Sequence, residues 1–201
     1  MTKKLAAILI LLAAAVAGTV GFALSGFYNV AADVPHGRVL GWLLSSASRA
    51  SVERRAVSVD VPDLNNDRLR LAGASDFNAM CAGCHGAPGQ EPRAIGRGLN
   101  PPPPDLAESA AQMTPSELFW ITKHGIRMTG MPAWGKTHDD VALWPVVAFM
   151  TTLPVMTAQD YQSLLKKAEG VGHHASDDSA KTTSAKRTHD HSTHSHSTQK
   201  K

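Results

Sequence analysis

The chain has 201 residues, enough for one domain with appendages, and only 5% of them are aromatic, against 16 glycines and 12 prolines. The formal net charge of +3 is spread along the sequence with no basic stripe interleaved with aromatics, which argues against nucleic-acid binding. Cys81 and Cys84 are the only cysteines, so a four-thiol zinc site is excluded, and no histidine pair follows them at the distance that a Cys2His2 site needs.

Lys3 and Lys4 precede an uncharged stretch from Leu5 to Ala32. Its most apolar part, Leu5 to Leu24, is 20 residues long, the length at which a helix spans a hydrocarbon core. A removable secretory signal has a shorter apolar core and a small-x-small cleavage site, for which Ala23-Leu24-Ser25 is the candidate. The length of the run favours an uncleaved transmembrane anchor over residues 1–32. The paired lysines favour a cytoplasmic N-terminus, a bias opposed by Arg38, Arg49, Arg54 and Arg55 on the far side. Either reading carries the rest of the chain across the membrane.

Residues 33–66 read as a connector. Val39, Leu40, Trp42, Leu43 and Leu44 form an apolar patch, and the cluster from Arg49 to Arg55 follows it, so a short amphipathic helix is predicted to end before Pro62. Two roles stay open for it. It lies on the bilayer surface, where Trp42 suits the interface, or it packs on the following domain or a partner subunit.

The next unit is predicted over 67–157. Asp67 is the expected cap of a helix running through Leu69, Leu71, Ala72, Phe77 and Met80. That helix delivers the chain to Cys81-Ala82-Gly83-Cys84-His85, the C-x-x-C-H arrangement that attaches a c-type haem. Each thiol can form a thioether to a haem vinyl group, and the spacing sets both sulfurs on one porphyrin edge. His85 follows directly, so its imidazole reaches the iron from one face. A thioredoxin-like C-x-x-C expects a βαβ setting, whereas the flanks here read as helices and Pro-rich loops.

Met80 to Gly89 (MCAGCHGAPG) and Gly130 to Gly135 (GMPAWG) resemble the haem-binding and distal-methionine segments of class I cytochromes c. The resemblance covers the chain from about Asp67 to Pro154. More loosely, the whole chain is similar to membrane-anchored bacterial monohaem cytochromes c with a His-rich C-terminal tail. The resemblance implies an all-α fold, with helices and Pro/Gly-rich loops wrapped around one covalent haem c and the first and last helices of the domain crossing. It also implies that a proline carbonyl in the loop from Gly86 to Met113 accepts the Nδ1–H of His85, and any of Pro101 to Pro104 fits. Such a bond fixes the tautomer and strengthens His85 as a donor to iron. The proline run cannot be helical, and a loop of this length inside a compact domain is usually functional.

Thr114-Pro115-Ser116-Glu117 is a capping-box helix start with proline at the first helical position. Leu118, Phe119, Ile121 and Thr122 follow, with Gly125 as the stop. Trp120 packs either at the haem edge or in the core. In the next loop Met131 is the expected second axial ligand. It sits between Gly130, which permits close approach, and Pro132, which stiffens the chain. Thioether ligation raises the haem potential, which suits an electron carrier. Met128 is the rival in the same loop. His124 and His138 would give bis-histidine ligation but lack the loop context and read as surface histidines.

Asp139-Asp140 opens the last helix of the domain, whose buried face is Val141, Leu143, Trp144, Val147, Ala148 and Met150. Pro145 is tolerable in its first turns, and Pro154 closes it. Thr157 to Asp160 starts a short helix over 158–169. Residues 170–201 hold Ser, Thr, Lys and six histidines with almost nothing large and apolar, the composition of a disordered tail. His173, His174, His189, His191, His194 and His196 are candidate weak ligands for Cu, Ni or Zn, and the alternative is a solvated tail with no metal role.

Together these features predict a monohaem carrier of single electrons between redox partner proteins, with donor and acceptor unidentified. The N-terminal helix anchors it in the bacterial inner membrane with the haem domain in the periplasm. It is read as no enzyme itself, because His85 and Met131 fill both axial positions and leave a substrate no place on the iron. The alternatives are a cytochrome subunit of a membrane dehydrogenase or oxidase complex, and a haem protein whose tail binds or senses metal.

Overall fold

The computed structural model describes residues 2–172. The His-rich segment 173–201 and the disorder and metal binding expected of it therefore lie outside the described residues. Within them the chain forms nine α-helices and no named strand, so the all-α expectation holds.

Helix α1 (Thr2–Leu24) is apolar and exposed, with a mean hydropathy of 2.5 over Lys3–Leu24. Its 23 residues make a rod of about 35 Å, longer than the roughly 30 Å hydrocarbon core of a bilayer. Helix α2 (Arg38–Ala56) is the predicted connector helix. One stripe of it, Gly41, Leu44, Ser48, Val52 and Ala56, recurs at helical spacing and is wholly or partly buried. Helix α2 packs on α7 (Pro115–His124). The apolar residues of the first turns, Val39, Trp42 and Leu43, fall on the opposite face and are exposed.

The core is a crossing of α3 (Asp67–Met80) with α8 (Asp140–Met150), joined by α9 (Ala158–Ala168). Ala74 and Phe77 of α3 meet Leu143, Val146, Val147 and Phe149 of α8, all fully buried. Tyr161 of α9 completes an aromatic trio: the Phe77 ring lies 5.0 Å from Phe149 and 6.3 Å from Tyr161. Tilted and edge-on rings at these distances add to the burial of their surface. Tyr161 keeps its hydroxyl satisfied by donating to Asn78 Oδ1 at 3.2 Å.

Two boundaries differ from the sequence reading. The cap of α3 is Asn66, not Asp67: extended backbone at Asn66 lets its Oδ1 accept from Arg68 N at 2.9 Å and Leu69 N at 3.2 Å. Asp67 becomes the first helical residue, where its charge still suits the helix N-terminus. Helix α8 ends at Met150, and Pro154 sits in a separate 3-10 turn, Leu153–Val155. Thr151 and Thr152 donate their hydroxyls back to the carbonyls of Ala148 and Phe149, and Leu153, preceding a proline, is biased against the α conformation.

The capping boxes at Thr114–Glu117 and Thr157–Asp160 are both formed. Asp160 accepts from the Thr157 hydroxyl and backbone, and these bonds hold its carboxyl below the usual range. Because the folded value is depressed, the stabilisation from this box is present above the ordinary carboxylate range and is lost as acid protonates Asp160.

The crossing depends on Gly73. A Cβ built there would fall on the Pro145 carbonyl and lie 3.0 Å from Phe149 Cβ. Gly73→Ala must therefore push α3 and α8 apart and is expected to destabilise the fold by about 1–3 kcal/mol, read as a lowered midpoint in urea denaturation followed by circular dichroism.

Candidate functional site

Helix α3 hands its last turn directly to the C-x-x-C-H segment. Cys81 N donates to Phe77 O at 2.8 Å, and Cys84 N and His85 N both donate to Cys81 O, at 3.1 and 3.0 Å. The short helix α4 (Ala82–His85) results, ending at Gly86 with φ +75. Glycine is required there, since a side chain is strained at that φ and its Cβ would lie 2.6 Å from Gln90 O. The following loop folds back on the motif: Arg93 N donates to Gly83 O at 3.0 Å. Gly96 of α5 (Ala94–Arg97) lies so close to Cys84 that a Cβ would come within 2.7 Å of its Cα.

Both cysteines are free thiols, Cys81 buried and Cys84 partly so. Burial first, then the neighbouring Cys84 and Asp76, push the Cys81 thiol up to about 12. A dithiol redox centre works through a thiolate with a depressed pKa, so this environment opposes the thioredoxin-like reading.

His85 is oriented by a single long-range bond. Its Nδ1 lies 2.8 Å from Pro104 O. A carbonyl only accepts, so Nδ1 carries the proton and Nε2 keeps its lone pair for a ligand bond. Burial lowers the His85 pKa, against opposing pulls from the Pro104 bond and Asp105, and the imidazole is neutral at pH 7. The structure thus selects Pro104 among the four prolines. The next residue, Asp105, caps α6 (Leu106–Gln112), its Oδ1 accepting from Ala107 N at 2.6 Å and Glu108 N at 3.3 Å. Beside the imidazole opens a cleft of about 620 Å³, its wall polar and apolar in about equal measure, with Phe77, Leu106, Leu153 and Met156 facing Gln90, Glu91 and Asp105 among its residues.

Met131 is half-buried and in close contact with His85. Its loop is shaped by Thr129, whose hydroxyl donates to Ile126 O at 2.7 Å and accepts from Met131 N at 3.1 Å. Met128 turns away: it is 75% exposed, on a left-handed backbone with φ +62. His124 is exposed, its ring 4.8 Å from that of the half-buried Trp120. His138 pairs its Nδ1 with Thr137 Oγ1 at 2.8 Å, and its ring meets Trp134 edge-on. Thr129 is the residue that the sequence reading missed. Its only signal is the readiness of threonine to bond its own backbone in turns.

Two thiols on one turn, a neutral imidazole with Nε2 open and a thioether beside it are groups that could hold a covalently attached haem. Among the described residues no group of three or more His, Cys, Asp or Glu side chains is placed to hold another metal ion. Residues 69–150 match the family model described as cytochrome c oxidase, cbb3-type, subunit III. No curated protein and no solved structure matches the chain. The matched segment is a c-type cytochrome domain, and with it come a covalently bound haem c, an electron-carrying function and redox partners.

Asp105 links the His85 partner to α6. Asp105→Ala is expected to cost about 1 kcal/mol, with Asp105→Asn close to wild type because asparagine also caps; urea denaturation of the two variants checks this.

Proposed function

We propose that Cys81 and Cys84 hold one haem c through thioethers, with His85 and Met131 as axial ligands, and that the chain carries single electrons without being an enzyme. The close contact of His85 with Met131 supports this reading most directly, with His85 already in the tautomer that leaves Nε2 free. When bound, the haem supplies an iron that cycles between Fe(II) and Fe(III). The chain does the rest. Pro104 fixes the imidazole, Thr129 fixes the approach of Met131, and the Phe77–Phe149–Tyr161 core keeps water from the inner side. With His85 and Met131 both bound to the iron, no coordination site would remain for a substrate.

In this reading α1 is an uncleaved anchor in the inner membrane, residues 33–66 connect it to a periplasmic domain over 67–157, and α9 follows. The His-rich tail is proposed as a weak Cu, Ni or Zn site separate from the haem. The family match favours one particular setting for the carrier, as the cytochrome subunit of a membrane oxidase complex. Native electrophoresis of gently solubilised membranes, stained for haem, separates the settings. A band that co-migrates with oxidase activity supports the subunit, and a free band supports the independent carrier.

Met131→Ala is expected to abolish the near-infrared sulfur-to-iron band of the oxidised protein, lower the potential and admit imidazole to the iron. Met128→Ala leaves all three unchanged. The reverse pattern refutes the ligand assignment. Thr129→Val leaves Met131 N and Ile126 O without their shared partner. It is expected to cost about 1–3 kcal/mol in denaturation and to tighten imidazole binding, with Met131 still present.

A further inference from the structure

We infer that the exposed face of the first turns of α2 is a membrane-surface contact, which seats the cytochrome domain on the bilayer beside its own anchor. The inference rests on the anchor reading of α1. Two features of α2 carry it. Its stripe of Gly41, Leu44, Ser48, Val52 and Ala56 is wholly or partly buried and the helix packs on α7, so its orientation is fixed relative to the domain. The opposite face presents Val39, Trp42 and Leu43, which are 78%, 69% and 54% exposed. Further along the same face come Glu53 and Arg54, so the apolar patch is confined to the end of α2 nearest α1.

The tether decides the occupant. Only residues 25–37 separate the two helices. A flexible segment of that length has a root-mean-square end-to-end distance of about 20 Å, so Val39 is kept near the point where α1 leaves the hydrocarbon. The tether itself is apolar and exposed at Phe27, Tyr28, Val30 and Val34, so exposed apolar residues recur from the span to Leu43, with Asn29, Asp33, His36 and Arg38 between them. Aromatic residues flanked by a cation, here Trp42 near Arg38, suit the headgroup layer, where an amphipathic helix lies with its apolar side inward. The tether is also pinned to the domain, since Asn100 Nδ2 donates to Val34 O at 2.9 Å. A lipid surface touching α2 thereby fixes which side of the domain faces the aqueous phase.

Single cysteines introduced at Val39, Trp42, Leu43, Glu53 and Val16 test this in the full-length haem-loaded protein. Each carries a nitroxide, and the protein is reconstituted in vesicles of phosphatidylcholine with a minority of phosphatidylglycerol. Relaxation by oxygen, which partitions into lipid, is compared with relaxation by a water-soluble nickel chelate. The expected result is loss of the nickel effect at 39, 42 and 43 with the oxygen effect retained, while the label at 53 responds to nickel. Labels at 39, 42 and 43 that respond to nickel as 53 does overturn the contact. Shielding of all three from both relaxants means that protein covers the patch, and this overturns it too. Val16 separates the two claims. Lipid exposure there with water exposure at 42 refutes only the surface contact, and water exposure at 16 refutes the anchor itself.

Discussion

Where α3 crosses α8, the two backbones approach so closely that only hydrogen fits at position 73, and a carbonyl of the partner helix occupies the space a side chain would need. Packing at this distance aligns Phe77 with Phe149 and admits Tyr161 from α9. It also sets the direction in which α3 ends. Since Cys81 still bonds to Phe77 O, its thiol is held in register with the core residue four positions before it. An error in the crossing would be passed to the thiols with no flexible joint to absorb it.

The two candidate iron ligands are held by different means. His85 belongs to the rigid turn that continues α3, and a carbonyl 19 residues away sets its rotation. Met131 hangs on a loop whose shape comes from local hydroxyl bonds and from glycines, with Gly125 turning the chain at φ +65 and Gly130 lying against Leu99. The ends of that loop are drawn together by the ion pair of Lys123 with Asp140 at 2.6 Å, which bridges the last turn of α7 and the first of α8. Partly exposed pairs of this kind contribute at most about 1 kcal/mol. The histidine side is therefore built into the fold, and the methionine side is adjustable.

Much of this was legible in the sequence wherever chemistry is encoded within a few residues. The C-x-x-C-H segment needs only one helical turn to be meaningful, and the capping boxes at Thr114 and Thr157 are read over four positions. Long-range choices were not legible. Four consecutive prolines offer equivalent carbonyls, and only the path of the loop over α6 decides for Pro104. Asn66 and Asp67 are both good caps, and the backbone angle at Asn66 settles which acts. The closeness of Gly73 to Pro145 has no local signature, because each residue is unremarkable within its own helix. The connector helix illustrates the same limit. Its apolar residues were visible, but their division between two faces follows from which stripe α7 happens to cover.

The burial of Cys81 has a consequence for the order in which this protein is made. The residue is only 6% exposed, and its thiol is held against deprotonation by its surroundings. In the folded chain it is both unreachable by an attachment enzyme and poor as a nucleophile. In the proposed reading, a thioether at Cys81 would have to form while α3 and α8 are still apart, and closure of the helix crossing would then seal the linkage inside. Attachment and folding would then be one sequence of events, with the chain modified while open and only then compacted.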